Sequence, residues 1–306
     1  MSKSFFVLIL GSGSAIPKKA KNHTSQVVIH DGKHLLVDCG EGCQIQLRKF
    51  GISLQKIDYI FISHLHGDHI LGLPGLIFSM NLLGRERELT IIGPADIRKL
   101  VELHFSMAKG HCSFKINFVD TQSKEKELVL EEQDLKVFTY PLRHKIPTTG
   151  FMFVSASEKR KLKPEMLKKY DVPKNLRKGI AEGRDYIQLD GSSVSNAELT
   201  SDPAPPRSYA YCSDTAFNPD LQGYIGNADL IYHEASFLNR DAEKARDTRH
   251  STAEQAGEIA ALCGAKKLIL GHFSSKYDDD DAFVREARAK FKNVEVAIEG
   301  QQYDVG

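Results

Sequence analysis

One heptapeptide constrains this chain more than any other feature. Ser63-His64-Leu65-His66-Gly67-Asp68-His69 follows directly on the short apolar run Tyr59–Ile62, so its polar groups sit where a β-strand ends. If the backbone stays extended through Leu65, His64 and His66 share a face, because side chains alternate along a strand. Gly67 then permits the sharp turn that swings Asp68 and His69 to the other side. The product is two pairs of donors about one metal–metal spacing apart. Imidazole nitrogen with carboxylate oxygen suits zinc best, with manganese or iron as alternatives.

Four residues do not complete two sites, since each metal needs about three to five ligands. The remaining candidates are polar residues that end later strands. His144 follows Val137–Leu142, Asp214 follows Tyr209–Cys212, and His272 follows Lys267–Leu270 and Gly271. Asp214 is well placed to bridge two cations.

The rest of the chain reads as strands and helices in alternation. Phe5–Leu10 is an apolar strand ended by Gly11-Ser12-Gly13-Ser14. Asp31-Gly32 between Val27–His30 and Lys33–Asp38 is a two-residue hairpin signal. Leu71–Leu83 has helical length and a strand follows at Leu89–Ile92. Later come strands at Tyr209–Cys212, Leu230–His233, Lys267–Leu270 and a closing Val294–Ile298, with helices at Thr252–Cys263 and Asp280–Phe291. Two halves, each of strands and then helices, predict an α/β chain with sheets face to face and helices outside. All 306 residues are read as a single catalytic domain carrying one inserted segment, 155–207.

That segment differs in character. Lys159, Arg160, Lys161, Lys163, Lys168, Lys169, Lys174, Arg177 and Lys178 crowd together, followed by Gly191-Ser192-Ser193 and Pro203-Ala204-Pro205-Pro206. It offers little core-forming material and reads as a basic excursion. Because the formal net charge of the whole chain is only +1, attraction for a polyanion must come from such local clusters. No run of about 18 apolar residues exists, so no membrane span is expected. Five scattered cysteines point to a reduced, cytoplasmic compartment.

A second constellation lies downstream. Ser251-Thr252-Ala253-Glu254 reads as a capping box, which puts His250 just before a helix N-terminus, where free N–H groups favour a phosphate. Glu234, at a strand end, could hold His250 in one orientation. The acidic run Asp278–Asp281 reads as a helix-start charge pattern.

His64-x-His66-x-Asp68-His69 after a short strand, then His144, Asp214 and His272, resembles the metallo-β-lactamase superfamily. That resemblance implies a four-layer αββα sandwich with two zinc ions at one edge of the sheets. His233-Glu234-Ala235-Ser236 and His250-Ser251-Thr252 are similar to paired signatures of the ribonuclease Z family, short form. Gly11-Ser12-Gly13-Ser14-Ala15-Ile16-Pro17 with Lys19, Lys21 and Asn22, Asp38-Cys39-Gly40-Glu41-Gly42, and Ser79–Arg85 carry the likeness along the rest of the chain. It implies a zinc-dependent endoribonuclease, with two zinc ions per subunit on His64, His66, Asp68, His69, His144, Asp214 and His272. Such an enzyme removes the 3′ trailer from precursor tRNA after the discriminator nucleotide, leaving a tRNA 3′-hydroxyl and a trailer 5′-phosphate. Asp68 is then also the general base, His250 protonates the departing oxygen and Glu234 supports His250.

The same resemblance makes 155–207 a candidate tRNA-binding exosite, although Val172-Pro173-Lys174-Asn175-Leu176-Arg177-Lys178-Gly179 lacks the family's usual Gly-Pro pair. It places Lys18–Asn22 near the acceptor end, with Lys21 where arginine is more usual, and it implies a homodimer. One rival is a small-molecule hydrolase or phosphodiesterase of the same fold, which the basic segment and the His250 motif argue against. The other is a non-catalytic RNA-binding scaffold with structural metals, but such sites are usually closed and cysteine-rich.

Overall fold

The structure is a computed structural model that describes residues 4–19, 21–122, 124–132, 134–156, 159–203 and 205–306. Ala20 and Ala204, inside two of the segments picked out above, lie outside the described residues. The chain divides into two compact units, residues 1–154 with 208–306, and residues 155–207.

The strands in chain order are β1 (Phe5–Gly11), β2 (Ser25–His30), β3 (Lys33–Val37), β4 (Ile57–Phe61), β5 (Leu89–Gly93), β6 (Ile116–Asp120), β7 (Glu127–Glu131), β8 (Leu135–Leu142) and β9 (Thr148–Ser155). The short pieces β10 (Lys161–Leu162), β11 (Tyr186–Ile187), β12 (Ser193–Val194) and β13 (Thr200–Ser201) belong to the second unit. The first unit resumes with β14 (Ser208–Cys212), β15 (Leu230–Glu234), β16 (Lys267–Gly271), β17 (Val294–Val296) and β18 (Gln302–Asp304). Its two seven-stranded sheets run β18-β1-β2-β3-β4-β5-β6 and β17-β16-β15-β14-β9-β8-β7.

Alternation along each strand builds three cores from these two sheets. Phe5, Val7 and Ile9 of β1 join Val28, Phe61, Phe151, Phe153, Tyr209, Tyr211 and Tyr232 in one cluster between the sheets. The opposite-facing Leu8 and Leu10 pack with Leu36, Ile60 and Ile62 against Leu73, Leu76, Ile77 and Met80 of an outer helix. Ala210, Ile231, Leu268 and Leu270 do the same against Ala256, Ile259 and Phe283. The layers are helix, sheet, sheet, helix, a four-layer αββα sandwich, because each strand is apolar on both sides.

The Asp31-Gly32 hairpin forms as predicted: His30 pairs with Lys33, and Asp31 and Gly32 both have positive φ, 48° and 80°, as a type I′ turn needs. Other readings are refined. The helix expected over Leu71–Leu83 forms as Leu73–Leu82, and a separate one-turn helix, Gly67–Ile70, precedes it. The metal loop itself starts the one-turn helix, and Gly72 N–H turns back to the Cys39 carbonyl at 2.9 Å. Val294–Val296 is not the last strand. Gln302–Asp304 returns to pair with β1, a three-residue strand too short and polar to show a period.

The capping box sits one residue later than the sequence suggested. Thr252 caps helix Ala253–Leu262 reciprocally with Gln255, because the Ser251 hydroxyl instead donates to the Thr215 carbonyl at 2.7 Å. The acidic run does start a helix: the Asp279 side chain accepts from Asp281 N–H ahead of Asp280–Arg288.

The second unit has more core than its composition promised. Leu167, Val172, Ile180, Tyr186, Val194 and Leu199 are buried together. Its lysines and arginines sit in the gaps between these apolar positions, which hides the pattern in a plain count of charges.

Candidate metal centre

Strands of both sheets deliver the donors. The loop after β4 carries His64 and His66, the one-turn helix Gly67–Ile70 carries Asp68 and His69, and residues just past β8, β14 and β16 supply His144, Asp214 and His272. His272 has φ of 58°, an uncommon left-handed conformation for a non-glycine residue. All seven are mostly or wholly buried except His66, which is half-buried.

Their donor atoms fall into two groups that share Asp214. His64 Nε2 lies 3.0 Å from His66 Nδ1, and His144 Nε2 lies 3.3 Å from the same His66 nitrogen. Asp214 Oδ2 is 3.5 Å from His64 Nε2 and 3.6 Å from His144 Nε2. On the other side, His272 Nε2 is 3.1 Å from Asp68 Oδ2 and 3.3 Å from His69 Nε2. Asp214 Oδ1 is 3.2 Å from His272 Nε2 and 3.4 Å from His69 Nε2. Asp214 thus turns one oxygen to each group.

The donor set fits a pair of cations. Two donors about 2.0 Å from one tetrahedral ion lie about 3.3 Å apart, close to the nitrogen separations here. The outer nitrogens are committed elsewhere: His69 Nδ1 faces Asp38 Oδ2 at 2.7 Å, and His144 Nδ1 faces the Arg249 carbonyl at 2.9 Å. His64 Nδ1 meets Ser63 Oγ at 3.0 Å and His272 Nδ1 meets Ser236 Oγ at 3.0 Å. Each ring is thereby oriented with its inner nitrogen toward the centre. Asp214 Oδ1 is buried with no hydrogen-bond partner, which is costly for an ionised oxygen unless a cation faces it.

Electrostatics agree with ligand duty. Burial pushes His64 down to about 4, helped by the nearby His69 charge. Burial likewise lowers His66 and His144, so these three present neutral lone pairs. Burial opposes ionisation of Asp68, yet the His69 charge and the His272 hydrogen bond hold its carboxyl far below the usual range. Burial would also lower His69, but Asp214, Asp38 and Asp68 together raise it well above its ordinary value. A site with that much carboxylate charge calls for positive charge in the middle.

His250 and Glu234 meet beside the centre. His250 Nδ1 is 2.8 Å from Glu234 Oε1 and its Nε2 is 4.0 Å from Asp214 Oδ2. Burial works against a charged His250, but Glu234 outweighs it and raises the imidazole to about 9. Three of the N–H groups around the start of the following helix, where a phosphate was expected, are already engaged. Ser251 N–H donates to Glu234 Oε1, Thr252 N–H to Gln255 Oε1 and Ala253 N–H to the Phe237 carbonyl.

Two groups had no site role in the sequence reading. Asp38, φ 54°, accepts from Ser63 N–H and Tyr211 O–H as well as facing His69. Ser236 Oγ links Glu234 Oε2, His250 and His272. Asp38 gave a faint signal, as an acid ending a strand in the same way as Asp214. The whole arrangement opens into a cavity of about 540 Å³ lined by His66, Asp68, His144, Asp214, His250 and His272.

Comparison with known proteins narrows this arrangement. Residues 5–170 match the family described as anti-Pycsar protein Apyc1, a stretch that holds His64–His69 and His144 but stops before Asp214. A match through the second half decides the matter: the protein named ribonuclease Z in Parabacteroides distasonis is 40% identical over 301 residues, covering 98% of this chain and 99% of its own length. The chain belongs to the ribonuclease Z family. Human tRNase Z, short form, has the same fold at a TM-score of 0.70 and 24% identity, with 98% of this chain and 99% of that one covered. The metallo-β-lactamase fold protein YhfI of Bacillus subtilis superimposes at a TM-score of 0.71 and 20% identity over 100% of both chains. The family therefore spans both halves of the donor set, and no helix among the described residues is long and apolar enough to cross a membrane.

Proposed function

We propose that this chain is a metal-dependent endoribonuclease that removes the 3′ trailer from precursor tRNA. It cuts after the discriminator nucleotide and leaves a tRNA 3′-hydroxyl and a trailer 5′-phosphate. The observation that carries this reading is the juxtaposition of seven convergent donors with a charged His250–Glu234 pair, in a chain related to ribonuclease Z along almost its full length.

In this reading His64, His66, His144 and Asp214 would hold one zinc ion, and Asp68, His69 and His272, with Asp214 shared, would hold the other. Bound there, the cations supply charge that polarises the phosphodiester and acidifies water. The protein's own groups do the rest. Asp68, an ionised carboxylate among the donors, accepts the proton of the attacking water. His250, kept protonated by Glu234, donates to the departing 3′ oxygen. Ser236 and Glu234 fix the plane of that imidazole, so its proton points into the cavity. The basic unit 155–207 acts as a tRNA exosite within a single catalytic chain. The enzyme works as a homodimer in the cytoplasm.

The test is incubation of the purified protein with a 3′-extended tRNA, with and without chelator, followed by end mapping. A single cut after the discriminator nucleotide, abolished by chelation and restored by zinc, is expected. Metal analysis should return two zinc ions per subunit. No cut, or a cut indifferent to chelator, would exclude this function, and preference for a small phosphodiester with no salt-dependent tRNA binding would favour the small-molecule rival.

A further inference from the structure

The sequence sets Lys18 and Lys21 in a basic segment expected near the acceptor end, and the structure places both in ion pairs. Lys21 Nζ lies 2.5 Å from Asp280 Oδ1, with its side chain only 16% exposed, and it sits 4.2 Å from the centre of the Phe273 ring. Lys18 Nζ lies 2.6 Å from Asp278 Oδ1 and donates to the Tyr277 carbonyl at 2.6 Å. The backbones meet at the same junction. Ser14 N–H donates to the Phe273 carbonyl at 3.2 Å, and Phe273 N–H to the Ser12 carbonyl at 3.0 Å. At the far end of the loop, Asn22 N–H and Nδ2 donate to the two Glu299 carboxylate oxygens at 2.6 and 2.7 Å.

This anchoring holds something in place. Ser14, Ala15 and Ile16, together with Ser274 and Ser275, line the cavity that also holds Asp68, Asp214 and His250. The two anchored segments therefore form one wall of the reaction pocket. Lys21, paired with a carboxylate and shielded by an aromatic ring, must break those contacts before it can meet a phosphate, and Lys18 must release the Tyr277 carbonyl as well as the exposed Asp278. We propose that Lys18 and Lys21 are positioning residues: with Asp278 and Asp280 they latch residues 12–22 to 273–281, fixing the wall against which the RNA strand lies. They are not phosphate contacts. The proposal rests on the tRNA-processing reading above.

The two roles predict opposite signs for D280N, which frees Lys21 and removes a negative charge. A phosphate contact held back by Asp280 would bind precursor tRNA more tightly once freed. A latch predicts a KM for 3′-extended tRNA raised roughly tenfold by a displaced wall. The far-ultraviolet circular dichroism and thermal midpoint of D280N, which report an intact fold, stay at the level of the unaltered protein. K21Q raises the tRNA KM likewise without changing the salt slope of binding, whereas loss of a true phosphate contact lowers that slope by about one. The reversed pair K21D/D280K restores KM. Amide hydrogen exchange over residues 12–22 reads the latch with no substrate present: faster in D280N and in K21Q, slow again in the reversed pair. Tighter tRNA binding by D280N, a reduced slope in K21Q, or unchanged exchange in both overturns the proposal. Failure of the unaltered protein to cut 3′-extended tRNA would overturn the function instead, leaving the exchange measurement to decide the latch.

Discussion

His250 shows how one neighbour sets the chemistry of a residue. In the buried setting the imidazole alone would be driven neutral; Glu234 at 2.8 Å reverses this and lifts it to about 9. The proton to be donated is present below that pH and is lost as pH rises through it, so activity should fall on an alkaline limb near pH 9. In E234Q the carboxylate is gone, burial is opposed only by Asp214 and Asp68, and the His250 value drops. The alkaline limb of log kcat should then move to lower pH by at least about one unit, measured under single-turnover conditions. A limb that stays near 9 would assign control of His250 to some other group. The three histidines and one aspartate of the first loop were legible because they fall within six residues. Asp38 was not, since its partner His69 is 31 residues away and nothing local marks an aspartate after a strand as a hydrogen-bond acceptor for imidazole.

At the scale of elements, the metal loop is held by a close backbone approach. Cys39 N–H donates to the His69 carbonyl at 2.7 Å and Gly72 N–H to the Cys39 carbonyl at 2.9 Å. A Cβ on Gly40 would lie 2.4 Å from the Asp68 carbonyl oxygen and 2.5 Å from His23 Cβ, closer than real atoms come. G40A should therefore push the Asp68–His69 turn outward. The expected cost is about 1–3 kcal/mol of stability, read as a lower thermal midpoint, and more than about tenfold in kcat on tRNA. Unchanged activity would mean that the turn can shift without moving its donors. The capping register belongs to the same scale: the sequence placed the box at Ser251–Glu254, and the Thr215 carbonyl, brought close by β14, takes the Ser251 hydroxyl and leaves Thr252 to pair with Gln255.

At the scale of the molecule, residues 155–207 form a separate unit with its own small core. Val154 and Ser208, which flank it in sequence, are paired across β9 and β14, so the chain leaves and re-enters the sheet at adjacent points. Replacing the unit by a short Gly-Asn hairpin should leave the sandwich intact. Precursor tRNA affinity should fall at least about tenfold with a flatter salt dependence, while hydrolysis of bis(4-nitrophenyl) phosphate persists. Equal loss of both activities would deny the unit a separate binding role.

The sequence by itself determined the alternation of strands and helices, the Asp31-Gly32 turn, the loop donors and the strand-end positions of His144, Asp214 and His272. Those features are local: they depend on period, on turn stereochemistry and on neighbours a few residues away. Tertiary structure alone decided which oxygen of Asp214 faces which histidines, which carboxylate grips His69, where the final strand docks, and that Lys18 and Lys21 spend their charge on Asp278 and Asp280. Each of those depends on a distance between groups far apart in the chain. Such distances are set by packing two sheets against each other, a global property that no window of sequence contains.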